Sequence, residues 1–142
     1  MERFVEMQER YAKDDNITIQ TDFSSNSTVM DADLLITDWS DISFEYAFTT
    51  LKPVLFIDTP MKIMNPEYDK IEQKPINVTL RNVIGKAISV NDIDNILEIS
   101  TDMLKQKDMY RKQIADAREK HIFNIGKSRI LSGKYIMKRL ME

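Results

Sequence analysis

The chain has 142 residues, enough for one domain with its own core, and its 42% hydrophobic and 30% charged content is ordinary for a globular protein. It has no Cys and a single His, His121, which excludes disulfides, thiolate metal sites and a His-pair relay. A net charge of -3 argues against general nucleic-acid binding, and no apolar run approaches the roughly 20 residues needed to cross a bilayer. In chain order, residues 2–13 carry Phe4, Val5, Met7 and Tyr11 among charges and predict a short amphipathic helix. Residues 1–16 are charged throughout, unlike a signal peptide, so a cytoplasmic location is expected. Residues 17–21 alternate apolar and polar side chains after an Asp-Asp-Asn turn and predict a strand. The Ser-rich stretch 24–28 is suited to cap a short helix running through Ala32. Residues 34–37 predict a buried strand, 41–50 a helix, and 53–57 a second buried strand. A single short helix between two such strands is the pattern of a right-handed βαβ unit with parallel strands.

Residues 59–82 are broken by Pro60, Pro66 and Pro75 and read as irregular; a loop of that length usually serves or covers a site. Residues 84–90 predict a further strand, weakened by Gly85 and Lys86, and helices are expected over 92–105, 107–120 and 127–141, with Asn91 and Ser128 as caps. The class is α/β: a Rossmann-like parallel sheet with flanking helices and a helical C-terminal segment, forming one domain over 1–142. The incomplete strand count suggests the later part of a larger α/β protein.

In an open parallel sheet, ligands bind beyond the carboxyl ends of the strands. Residues 37–40 lie at such an end, with Ser40 placed to cap the next helix through its hydroxyl. Trp39 and Phe44 have the spacing of a hydrophobic staple. The free N–H groups and positive dipole end of that helix then offer a phosphate seat, to which Ser40 and Ser43 can add hydroxyls, while Glu45 is suited to ribose hydroxyls. Thr59, after the second strand, faces the same crevice as a donor contact or as part of a plain turn. Asn65, Glu67 and Tyr68 can line the nucleotide pocket but fit a surface loop better, Arg81 can pair with a phosphate as a bidentate donor but fits a surface ion pair better, and His121 reads as structural. A well-capped crossover helix that binds nothing has the same local features, so these residues alone do not decide the function.

The run Ala32-Asp33-Leu34-Leu35-Ile36-Thr37-Asp38-Trp39-Ser40-Asp41-Ile42-Ser43-Phe44-Glu45-Tyr46, followed by Lys52-Pro53-Val54-Leu55-Phe56, decides more. It resembles the A-D-x-L-I-T-D-Y-S-S-x-x-F-D … K-P-x-x-F pattern of the CDP-glycerol glycerophosphotransferases, enzymes that prime or extend poly(glycerol phosphate) polymers of the teichoic-acid type. The resemblance implies the C-terminal half of a GT-B fold, which holds the nucleotide donor. It implies CDP-glycerol or a related nucleotide as donor, a polymer or lipid-linked acceptor, and an N-terminal GT-B domain as partner. Ser40 and the adjacent helix start would hold the donor pyrophosphate, and Glu45 stands where the family has an acid suited to the ribose. Asp41 replaces the family's usual second Ser, placing a negative charge beside the phosphate seat, and Glu45 is a methylene longer than the family's Asp.

The family's catalytic His residues lie upstream of this block, and here no His precedes it. A general base matched to neutral pH is therefore not visible, no catalytic residue is assigned, and this chain alone is expected to bind weakly and catalyse nothing. No metal or cofactor is expected. Two other classes remain open. A phospho-acceptor receiver domain also uses a strand-end Asp and a Lys-Pro pair, but the short gap between Asp38 and Lys52 has room for one helix only. A non-catalytic Rossmann-like docking module fits the absent base. The last helix, carrying Lys127, Arg129, Lys134, Lys138 and Arg139 with Ile130, Leu131, Ile136 and Leu140, can lie on the cytoplasmic face of an anionic membrane. Packing of its apolar stripe on this domain or on the N-terminal domain is the stronger expectation.

Overall fold

The computed structural model describes residues 2–22, 27–61, 65 and 67–142. Its centre is a parallel three-stranded sheet, β1 (Leu35–Thr37), β2 (Val54–Asp58) and β3 (Gly85–Ser89), in the order β1-β2-β3. Leu35 pairs with Val54 and Val54 with Gly85, so β2 is the middle strand and its first three residues are fully buried. That burial is why 54–56 is an unbroken apolar run: both faces of a parallel strand are covered by helices. The fold is the α/β, Rossmann-like arrangement that the strand and helix order predicts.

Eight α-helices are described: α1 (Glu2–Tyr11), α2 (Ser27–Asp31), α3 (Ile42–Thr50), α4 (Ile76–Thr79), α5 (Arg81–Ile84), α6 (Ile96–Lys105), α7 (Lys107–His121) and α8 (Ser128–Met141). α3 buries Ser43, Phe44, Tyr46 and Ala47, the i, i+1, i+3, i+4 positions of one face, against the sheet. α7 buries Tyr110, Ile114 and Ala117 at the same kind of spacing. With Leu55, Phe56, Ile84 and Met103 these make one continuous core. Arg118 of α7 donates to the Phe48 carbonyl at 2.9 Å, placing a cation near the negative end of α3.

Several sequence expectations are corrected. Residues 17–21 form no strand; an alternating pattern prepares a strand but needs a paired neighbour, and β1 pairs only with β2 among the described strands. The stretch 59–82 contains a 3-10 turn at Tyr68–Lys70 as well as α4 and α5. Ser89, not Asn91, makes the cap bond after β3, accepting from the Asn91 N–H at 3.2 Å. Ser128 lies inside α8 and its hydroxyl donates back to Asn124 O, so it caps nothing. Ser24 and Ser25 lie outside the described residues. The apolar side chains of α8 are exposed rather than packed on this domain, with Leu140 76% accessible. No helix among the described residues is long and apolar enough to cross a membrane.

The α3–β2 junction explains the Lys-Pro pair. Leu51 ends α3 in the left-handed region (φ 57), donating to Ala47 O, and Pro53 then starts the extended run. Lys52 turns back so that its Nζ donates to the carbonyls of Asp31 (3.1 Å) and Ala32 (2.8 Å), with Asp33 at 3.6 Å. Lys52 thereby satisfies the end of α2, a structural role. Tyr46 donates to the same Ala32 carbonyl at 2.9 Å.

Burial pushes the Tyr46 phenol up to about 12, the Asp33 charge adds to the rise, and a bond from Thr50 opposes it. In the unfolded chain the phenol ionises near 10. The stabilisation this group contributes is therefore complete below pH 10 and is lost as pH climbs from 10 towards 12. The loss is of order 2 kcal/mol, at about 1.4 kcal/mol per pKa unit. Urea midpoints measured from pH 9 to 11.5 should fall, and Tyr46→Phe should flatten that decline; an equally steep fall in the variant contradicts the assignment.

Candidate functional site

The carboxyl ends of β1 and β2 lie side by side, and the two segments that leave them are joined directly. Trp39, after β1, donates its indole Nε1 to the carbonyl of Thr59, after β2, at 2.7 Å. Between Thr37 and α3 runs the turn Asp38-Trp39-Ser40-Asp41, with Asp38, Ser40 and Asp41 exposed. Glu45 is exposed on the next turn of α3, and Thr59 is half-buried.

The cap differs from the expectation in one respect. α3 begins after Asp41, and no side chain makes an N-cap hydrogen bond. The Ser40 carbonyl, not its hydroxyl, serves the helix: it accepts from the Ser43 N–H (3.2 Å) and from the Ser43 hydroxyl (2.8 Å). Ser43 is thus buried beneath the turn with its hydroxyl proton engaged, so it shapes Ser40 rather than offering a donor outward. The Ser40 hydroxyl is exposed at the crevice and makes no hydrogen bond among the described residues.

The staple is also replaced. Phe44 packs edge-on against Phe48 with ring centroids 5.8 Å apart. The Trp39 ring instead covers the guanidinium of Arg81, 3.7 Å from the indole centroid, and Phe56 lies 4.7 Å from the same guanidinium. Arg81 forms an ion pair through Nη1 with Oδ1 of Asp58, the last residue of β2. A surface ion pair was the sequence expectation; the pair is real, but the Arg81 side chain is only 6% exposed while Asp58 is 49% exposed. Its Nε and Nη2 are buried without a hydrogen-bond partner among the described residues. An unmet buried donor costs about 1–3 kcal/mol, more on a charged group, so this arrangement needs a reason. Asn77 of α4 reaches the same turn, donating to Asp41 Oδ1 at 3.4 Å, and its own Oδ1 is likewise buried and unmet.

Sequence reasoning missed Asn77 and the burial of Arg81. The neighbouring Leu80, Val83 and Ile84 mark the stretch as core-forming, but the rings that bury Arg81, Trp39 and Phe56, stand far away in sequence. Of the other loop residues, Asn65 and Glu67 are exposed, and Tyr68 stacks with Lys74, 4.7 Å from its ring centroid. His121 closes α7 half-buried, lining a groove with Leu80 and Val83. A cavity of about 660 Å³ lies elsewhere, along β3 and α6, lined by Asp92, Glu98 and Asp102 among others. Both sites carry carboxylates, Asp38, Asp41 and Asp58 in the strand-end crevice; the crevice differs in combining a helix start, a Ser hydroxyl and a buried cation.

A search of curated proteins and a search of solved structures each returned no significant match. A family profile described as CDP-Glycerol:Poly(glycerophosphate) glycerophosphotransferase matches residues 4–128, which include the sheet, the crevice and all helices from α2 to α7. With that match across most of its length, the chain belongs to the CDP-glycerol:poly(glycerophosphate) glycerophosphotransferase family.

Proposed function

We propose that this chain supplies the donor-nucleotide site of a transferase that moves glycerol phosphate from CDP-glycerol to a hydroxyl of a polymer or lipid-linked acceptor. In that reaction the acceptor oxygen bonds to the glycerol-bearing phosphorus, the bond from that phosphorus to the bridging oxygen breaks, and CMP leaves. The observation that carries the reading is the exposed Ser40–Asp41 start of α3 at the carboxyl ends of β1 and β2, within the family match. The N–H groups of Asp41 and Ile42 at the helix tip and the Ser40 hydroxyl hold the diphosphate. Glu45, one turn on, accepts from the ribose hydroxyls, and Thr59 borders the same crevice. Asp41 lies beside the anion, and the Asn77 amide on its carboxylate tempers that charge. The proton of the acceptor hydroxyl is taken by a base supplied from an N-terminal GT-B domain, with which this domain pairs. The protein works at the cytoplasmic face of the membrane, in teichoic-acid-type polymer synthesis.

Titration with CDP, CDP-glycerol and UDP, followed by amide shifts, tests the site: shifts should centre on 40–45. Ser40→Ala should change stability by less than about 0.5 kcal/mol, because its hydroxyl makes no cap bond. The same variant should weaken CDP binding about tenfold, or about 1.4 kcal/mol. Unchanged CDP affinity in Ser40→Ala removes the assigned role. A folded wild type that ignores millimolar CDP favours a docking module instead.

A further inference from the structure

We propose that Arg81 is a direct contact for the donor diphosphate, reached when the Trp39 indole that covers it swings aside; this rests on the donor-site reading above. A guanidinium carries five N–H donors in a planar fork that matches phosphate oxygens. Here Asp58 takes Nη1 alone, and Nε and Nη2 remain buried and unmet among the described residues. An arginine kept for packing or pairing alone has no use for half of its fork, since a backbone carbonyl or a second carboxylate oxygen could fill it. Asn77, one helical turn earlier, donates to Asp41, and its own unmet atom is an acceptor oxygen that offers a phosphate nothing. Of the 76–84 segment, Arg81 is the side chain that brings unmet donors to the turn 39–41 among the described residues.

An anion bound here would need a cation close by. The crevice gathers Asp38, Asp41 and Asp58, none of which repels a cation but all of which repel a diphosphate. A permanently charged arginine beneath the turn offsets part of that repulsion. The Trp39 ring over it is held by its stack on Arg81 and, among the described residues, by one hydrogen bond to Thr59 O. Rotation of that ring exchanges one hydrogen bond and one cation–π contact for charge-assisted bonds to phosphate, which are the stronger kind.

Trp39 is the only tryptophan in the chain, so its emission reports the movement directly. The full chain is titrated with pyrophosphate, CDP and cytidine, following fluorescence and calorimetry, alongside Arg81→Met and Arg81→Lys. Pyrophosphate and CDP should shift the emission and cytidine should not. Arg81→Met should weaken both phosphate ligands at least tenfold and leave cytidine unaffected, with Arg81→Lys between the two. Unchanged Trp39 emission on saturating CDP, or pyrophosphate affinity within twofold of wild type in Arg81→Met, overturns the role of Arg81 and leaves the donor site standing. Failure of the folded wild type to bind either CDP or pyrophosphate by calorimetry overturns the donor site and this inference together. If circular dichroism shows Arg81→Met unfolded, the wild-type emission and the ratio of CDP to cytidine affinity in Arg81→Lys decide.

Discussion

Gly85→Ala is expected to destabilise the fold by about 3 kcal/mol or more, at the upper end of what one inserted methyl does in a packed core. Gly85 is buried where α5 passes directly into β3, and it pairs with Val54 at the start of the central strand. A Cβ there would stand 1.7 Å from the Val54 carbonyl oxygen and 2.7 Å from its carbon. Both are backbone atoms of β2, so no rotamer change relieves the clash. The Gly85 backbone is extended (φ -177), a conformation open to other residues; space alone forbids the methyl. The strands β2 and β3 must part where their pairing begins, four residues after Arg81. Gly133 supplies the control. Nothing lies within 4 Å of its would-be Cβ on exposed α8, so Gly133→Ala should be neutral or gain up to about 1 kcal/mol of helix propensity. Urea unfolding of the two variants measures the contrast; a loss under about 1 kcal/mol for Gly85→Ala contradicts the close strand approach.

The elements around the crevice were legible because each is fixed by local chemistry. Leu35 and Ile36 before a turn, a short helix, then Pro53 and an apolar run leave little choice but two parallel strands joined by α3. Lys52-Pro53 was legible as a motif but not as a mechanism, since the Lys52 partners are carbonyls some twenty positions earlier. The helix α3 starts one residue later than the sequence predicts. Ser40 and Asp41 are both good cap types, and the choice turned on whether the Ser43 hydroxyl would occupy the Ser40 carbonyl. Residues 17–21 show the limit of alternation: it describes a face, while a strand also requires a neighbour. Arg81 shows a different limit. Its charge predicted an ion pair, yet its burial depends on Trp39 and Phe56, which arrive from β1 and β2, and no window of sequence contains all three.

Those three side chains also link stability to the site, which makes Phe56 a second position of large expected effect. Phe56 is 1% exposed in the middle of β2, and its ring faces the guanidinium of Arg81. Phe56→Ala should cost about 3–5 kcal/mol, the usual range for emptying a buried aromatic site. The void would open beside a charged group, so water can enter and hydrate Nε or Nη2, which offsets part of the loss and places the outcome in the lower half of that range. Phe56→Leu separates the two contributions. It keeps most of the volume and should cost less than about 1.5 kcal/mol, while removing the ring that faces Arg81. The Leu variant should therefore unfold nearly as the wild type does in urea. Arg81 keeps its charge and its Asp58 partner in that variant, so pyrophosphate binding should weaken only through the looser seating of the guanidinium, by less than in Arg81→Met. A Phe56→Ala protein within about 1 kcal/mol of wild type would mean that this ring is not part of the core. A Phe56→Leu protein that binds pyrophosphate worse than Arg81→Met would mean that the sheet, rather than the arginine, forms the anion seat.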